Sequence, residues 1–62
     1  MSKQITKLKT LRESKFLTMT ELANLAGVTA QTISTAEMGN RISLGSIKKI
    51  AGALRVAPEK LL

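Results

Sequence analysis

The 62-residue sequence predicts an all-α fold in a single domain spanning residues 1–62, and three observations carry this prediction. Apolar residues recur at helical spacing in several separate stretches. Hydrophobic residues make up 44% of the chain and only one proline and four glycines occur, which favours a folded domain over a disordered segment. A chain of this length has room for only one small core.

The first helix is expected over residues 5–15, where apolar residues alternate with lysines in an amphipathic pattern. Its apolar stripe consists of Ile5, Leu8 and Leu11. Arg12 continues that stripe toward the interior, so we expect it at the edge of the core beside a partner. Phe16, the only aromatic residue, falls at the end of this helix, and we expect it to fold back onto the core; the alternative is an exposed contact residue.

A second helix is expected to begin near Met19. Thr18 and Glu21 have the spacing of a capping box, in which each side chain bonds an otherwise unpaired amide at the start of a helix. Gly27 can adopt the left-handed conformation that ends a helix. The stretch is therefore a short helix that ends in a tight turn.

A third helix is expected over about residues 30–38, because Thr29 can cap the amides that follow it. On a helical wheel, one side is small and apolar apart from Glu37, and the opposite side is polar and uncharged apart from Met38. The polar side consists of Gln31, Ser34, Thr35 and Met38. Solvated helix faces usually carry Lys and Glu, so this stripe suits a surface that makes close polar contacts.

A fourth helix is expected after Ser43, which can cap it. Its apolar stripe is the strongest in the chain and consists of Leu44, Ile47, Ile50, Ala51 and Leu54. Pro58 suits the first position of a last short helix, which brings the number of helices to five. Leu61 and Leu62 would then either close the core or lie on a surface that pairs two copies of the chain.

Charge is distributed unevenly along the chain, whose net charge is +6. Residues 1–17 and 41–62 each carry five Lys or Arg and one Glu, whereas residues 18–40 carry two Glu and no basic residue. This balance favours a polyanionic partner that the flanks attract and the centre recognises. The alternative is that the lysines are ordinary solvated faces.

Several functions are not expected from this composition. Without Cys or His, the chain has no disulfide and none of the usual nitrogen or sulfur metal ligands, and its four Glu form no obvious catalytic pair. We therefore expect no enzyme, no metal, no cofactor and no small-molecule ligand. No apolar run approaches the roughly 20 residues that span a bilayer, and the polar start lacks a signal-peptide core, so we expect a cytoplasmic protein with no membrane partner.

The segments LKTLRES, LTMTELANLAGVTAQTIS, AEMGNRIS and SLGSIKKIAGALRVAPEKLL occur in an order and spacing that resemble the helix-turn-helix domain of the lambdoid phage repressor and Cro (XRE-type) family. The resemblance implies a compact five-helix domain like that of lambda repressor, with the helix-turn-helix at about residues 18–38. The second helix would lie across the DNA backbone and the third would enter the major groove. Ala23 and Gly27 match small positions of the family, where we expect two crossing helices to leave no space for a larger side chain.

The resemblance also implies which residues contact double-stranded DNA. The base-contacting positions of the family fall on Ala30, Gln31, Ser34 and Thr35. Among these, Gln31 has an amide that can bond adenine bidentately. The expected contacts to the DNA backbone are Lys15, Thr18, Met19, Thr32, Asn40 and Arg41. Arg12 and Glu37 match a structural ion pair of the family.

The chain departs from the family at Met19 and Ala30, where glutamines are common and one braces the other; here an apolar contact would replace that brace. The expected function is a sequence-specific transcriptional regulator, a repressor that binds a palindromic operator as a homodimer. The alternative is a protein-binding module of the same fold, of the antitoxin or antirepressor type, acting through Phe16, Met19, Met38 or the terminal leucines.

Overall fold

All 62 residues are described in the computed structural model, which contains four α-helices, one 3-10 helix and a two-stranded antiparallel ribbon. The elements are β1 (Ser2–Lys3), α1 (Leu8–Ser14), α2 (Met19–Ala26), α3 (Ala30–Glu37), β2 (Ile42–Ser43), α4 (Leu44–Leu54) and the 3-10 helix (Pro58–Leu61). The helical prediction is confirmed, although the fifth helix is only one 3-10 turn. No helix combines the length and the apolar composition that crossing a bilayer requires.

The start of α1 differs from the sequence expectation. The helix begins at Leu8, and Ile5 is buried in the chain that precedes it. The amides of Thr6 and Lys7 both donate to the carbonyl of Leu61, at 3.0 and 3.1 Å. The segment before α1 is therefore hydrogen-bonded to the C-terminal end of the chain and does not form an additional helical turn.

The N-terminal strand was not expected from the sequence. Ser2 pairs with Ser43 and Lys3 with Ile42, so that β1 lies antiparallel to the strand that follows α3. Gln4 extends this attachment, because its side-chain amide donates to the carbonyl of Gly39 at 2.8 Å. The N-terminus is thus held against the turn between α3 and α4.

The helix caps agree with the sequence. Thr18 and Glu21 form both bonds of a capping box: the amide of Glu21 donates to the Thr18 hydroxyl at 3.0 Å, and the amide of Thr18 donates to the Glu21 carboxylate at 2.8 Å. The Thr29 hydroxyl accepts from the amide of Thr32 at 3.1 Å at the start of α3. These bonds satisfy amides that would otherwise lack partners, and so fix where α2 and α3 begin.

The core is entirely apolar. Its 13 buried residues are Ile5, Leu8, Leu22, Ala23, Ala26, Ile33, Ala36, Ile42, Ile47, Ile50, Ala51, Leu54 and Leu61, and no polar residue is buried with them. Leu61 has no exposed surface, whereas Leu62 remains 45% exposed. Leu61 therefore closes the core, which is one of the two alternatives expected for the terminal leucines.

Phe16 does not cover the core, so that expectation is wrong. Its side chain is 94% exposed and its backbone is left-handed, with φ of 57°. α1 ends at Ser14, and the left-handed residue redirects the chain so that Leu17, not Phe16, packs against the core. The aromatic ring is exposed because the left-handed backbone at Phe16 turns the chain at the end of α1.

A left-handed backbone at a residue with a β-carbon is strained, which makes Phe16→Gly a stabilising substitution. We expect it to raise the free energy of unfolding by about 1 kcal/mol, because glycine adopts this conformation without the steric cost. Phe16→Ala keeps the β-carbon and is the matched control. Urea denaturation of both variants measures the effect, and equal stabilities would show that the strain contributes nothing.

Candidate nucleic-acid interface

α2 and α3 pack against each other around a left-handed turn. Ala23 is 3% exposed at this contact, and its carbonyl accepts from the amide of Val28 at 3.0 Å. Gly27 ends α2 with φ of 72°. A β-carbon at Gly27 would meet no atom within 4 Å, so the expected shortage of space is wrong for this position. Gly27 is suited to the turn by its backbone conformation.

Arg12 connects α1, the chain before α2 and the end of α3. Its Nε donates to Glu37 Oε2 at 2.6 Å and its Nη2 donates to Glu37 Oε1 at 3.1 Å, which makes the pair bidentate. Its Nη1 donates to the carbonyl of Leu17 at 2.7 Å. The two side chains are only 12% and 9% exposed. The pair therefore holds three parts of the chain in one arrangement.

The hydrogen bond to Glu37 raises the pKa of Arg12 above its ordinary value. Burial opposes this rise, and the negative charges of Glu37 and Glu13 add to it. A raised pKa of a basic group stabilises the folded state at lower pH, and this stabilisation disappears only as pH rises through the raised value. Arg12 thus remains a cation at any pH where the protein would normally be studied.

The outward side of α3 has an exposed N-terminal part and a more covered centre. Ala30 and Gln31 are exposed, whereas Ser34 and Thr35 are half-buried. The Ser34 hydroxyl lies 3.9 Å from the sulfur of Met38, a weak hydrogen bond, and the Met38 side chain is 74% exposed. Gln31 is therefore the exposed polar side chain on this side of α3.

The residues expected at the DNA backbone lie on both sides of α3. Lys15 and Thr18 are exposed before α2, and Met19 begins that helix with 39% of its surface exposed. The half-buried Thr32 has its hydroxyl 3.0 Å from that of Thr29. Asn40 is exposed after α3, and its backbone amide donates to the carbonyl of Thr35 at 3.2 Å.

The N-terminal ribbon adds residues that the sequence pattern did not indicate. Arg41 donates to the carbonyl of Ser2 at 3.1 Å, and Lys3 pairs with Ile42 directly after it. Two cations and the amino terminus therefore lie beside the turn that follows α3. A strand of two residues has no periodicity, so the sequence pattern did not place Lys3 at this turn. Gln4, which bonds this turn, had no signal in the sequence.

The positive charge near α2 and α3 thus lies at their edges. Neither helix contains a basic residue. Lys15 stands before α2, whereas Arg41 and Lys3 stand after α3. Such an arrangement can attract a polyanion at two points while the uncharged face between them approaches it closely.

The comparisons with known proteins agree with this geometry. A family model described as a helix-turn-helix matches residues 8–61. Among solved structures, the crystal structure of the restriction-modification controller protein C.AhdI from Aeromonas hydrophila superposes with a TM-score of 0.84 at 37% sequence identity, covering 90% of this chain and 86% of that chain. No curated protein sequence matches the chain.

The ion pair generates a prediction about stability. We expect Arg12→Ala and Glu37→Ala each to destabilise the fold, because each leaves a largely buried charge without its partner. The double variant should lose less than the sum of the two, with a coupling energy of roughly 0.5–3 kcal/mol. Chemical denaturation of the four proteins completes the cycle. Strictly additive losses would mean that the two side chains act independently, and Lys48 and Glu59, two exposed charges that form no salt bridge, provide a control cycle.

Proposed function

We infer that this chain, which belongs to the helix-turn-helix family, is a DNA-binding transcriptional regulator. The family model covers residues 8–61, and the controller protein that the chain resembles is itself a regulator by name. The observation that carries the inference is the arrangement of α2 and α3, with an exposed, uncharged polar stripe between basic edges. No enzymatic role is proposed.

α3 enters the major groove, and its exposed side contacts base edges. Gln31 makes the selective contact, because its amide can donate to and accept from an adenine at the same time. Ser34 and Thr35 lie deeper on the helix and make short, less selective contacts. Ala30 offers a methyl group, which suits contact with a thymine methyl. The exposure of Gln31 and Ala30 supports this assignment.

The DNA backbone is held at the edges of the same surface. Thr18, Met19 and the amides that start α2 lie against one strand, with Lys15 beside them. Thr32, Asn40 and Arg41 contact phosphates near α3. These contacts orient α3 without selecting a sequence.

The protein acts as a homodimer on a palindromic operator, and it is a cytoplasmic repressor. One helix of eight residues covers few base pairs, so two copies with half-sites about 34 Å apart give the affinity and the length of site that regulation requires. Leu62 is half-exposed at the C-terminal region where we place the contact between copies. Leu61 is not available there because it is buried in the core.

Selecting bound sites from random DNA tests binding, symmetry and half-site spacing together. We expect a palindrome and a binding constant that falls steeply with salt, because the basic edges release counterions from the DNA. Recovery of no preferred sequence at any salt concentration would contradict the regulator proposal.

Gln31→Ala tests the base contact. It should lower the discrimination at one base pair of each half-site by about 1–3 kcal/mol and leave the other positions unchanged. Arg41→Ala should instead weaken all sequences alike and reduce the salt dependence. Asn24→Ala removes an exposed amide from α2 outside this surface and is the control. Binding constants for a panel of singly substituted operators distinguish these outcomes.

A second function is favoured by one observation, the exposure of apolar side chains. Phe16 is 94% exposed and Met38 is 74% exposed, which suits a protein-binding module of the antitoxin or antirepressor type. Co-purification with a stoichiometric protein, lost in Phe16→Ser and accompanied by no affinity for DNA, would support this function over the first.

A further inference from the structure

A groove of about 550 Å³ lies between the start of α1 and the end of α4. Its floor is apolar and is formed by Leu11, Val56 and Ala57, and Thr10 also lines it. Volumes of roughly 300–1,000 Å³ are typical of sites for small organic ligands. The residues come from two segments more than 40 positions apart, so no local pattern in the sequence indicates the groove.

Three cations surround this apolar floor. Lys7, Arg55 and Lys60 line the groove, and no acidic side chain does. The only salt bridge in the chain joins Arg12 and Glu37, so none of the three cations forms a direct ion pair with a carboxylate. Positive groups around an apolar floor are complementary to an organic anion with an apolar body.

The groove is separate from the surface assigned to DNA. α4 starts at Leu44, beside the turn that follows α3, and its 11 residues extend about 16 Å to the end that carries Arg55. α1 likewise ends near the start of α2, and its other end borders the groove. A molecule in the groove therefore lies at the end of α4 and against the first half of α1, away from the proposed DNA contacts.

The charges also argue against a second copy of the chain as the occupant. A symmetric dimer places the same patch of both copies face to face. Centred on this groove, it would bring the three cations of one copy close to the three cations of the other, and like charges repel. Charge repulsion therefore disfavours the groove as the contact between copies.

The head group of the anion follows from the donors that are available. Phosphate sites in proteins commonly use several free backbone amides, but the amides of Thr6 and Lys7 are bonded to the carbonyl of Leu61. The donors are instead side chains, and among them the guanidinium of Arg55 has a planar fork that can bond a carboxylate through two parallel hydrogen bonds. Arg55 is also left-handed, with φ of 59°, and such strain is often found at functional sites.

We propose that the groove between α1 and the end of α4 binds a small amphipathic carboxylate, with its apolar body on Leu11, Val56 and Ala57 and its carboxylate at Arg55. The lysines at positions 7 and 60 attract the anion to the groove. Binding links α1 to the C-terminal segment and so stabilises the fold. This inference does not depend on the DNA-binding function, because it is tested without DNA.

Phenylbutanoate and phenylbutanol are suitable probes, because they share a body and differ in charge. Titrations followed by NMR amide shifts and by thermal unfolding should give saturable binding of the carboxylate, with shifts centred on Leu11 and Val56. The alcohol should bind more weakly.

Arg55→Gly should weaken binding of the carboxylate by roughly three- to five-fold. The same substitution should make the fold more stable, since glycine removes the backbone strain. Ala57→Glu should abolish binding by placing a negative charge on the floor.

Lys48→Ala is the matched control, because it removes one exposed cation from α4 outside the groove. Equal losses in Arg55→Gly and Lys48→Ala would overturn the proposal in favour of general charge attraction. Alcohol binding as tight as that of the carboxylate would overturn the assigned head group, and absence of saturable binding would overturn the site. If Ala57→Glu disrupted the dimer in sedimentation and no carboxylate bound, the groove would be a contact between copies.

Discussion

The bidentate contact between Arg12 and Glu37 is the interaction on which the arrangement of the helices depends. The core contains only apolar side chains, and apolar contacts have no preferred direction. The ion pair and the bond from Arg12 to the Leu17 carbonyl supply that direction, because they relate α1, the start of α2 and the end of α3 through bonds of fixed geometry. Arg12 therefore helps to fix the position of α3, whose buried residues Ile33 and Ala36 pack in the core.

In the proposed binding mode, the affinity of the α3 surface for DNA comes from the cations around it. An uncharged polar face is free of strongly hydrated groups, and it can approach base edges without removing water from a lysine. The same property leaves it without attraction for phosphates. The cations at the two edges compensate, and the ribbon of β1 and β2 places one of these edges next to the end of α3. In the proposed binding mode, attraction and selection are thus assigned to different residues, and each can change without the other.

Two non-glycine residues adopt left-handed backbone conformations, and both lie at the end of a helix. Phe16 follows α1 and directs its ring into solvent, and Arg55 follows α4 and lines the groove. Glycine is the usual residue at such positions. At both places a large side chain is kept on the surface at some cost in stability, and both side chains are suited to contacts with other molecules, one apolar and one cationic.

The sequence by itself determined the helices, their caps and the family. A capping box or a left-handed glycine involves residues only a few positions apart, so Thr18, Glu21, Gly27 and Thr29 were interpretable without the fold. Tertiary structure alone decided that Leu61 is buried and Phe16 exposed, that β1 pairs with β2, and that a cationic groove lies beside Arg55. Each of these depends on segments that are distant in sequence or on where the chain turns, and such contacts leave no local periodicity. The proposed base contacts depend on both sequence and tertiary structure. Helical spacing predicted that Gln31 faces outward, and packing decided that Gln31 is more exposed than Ser34 and Thr35.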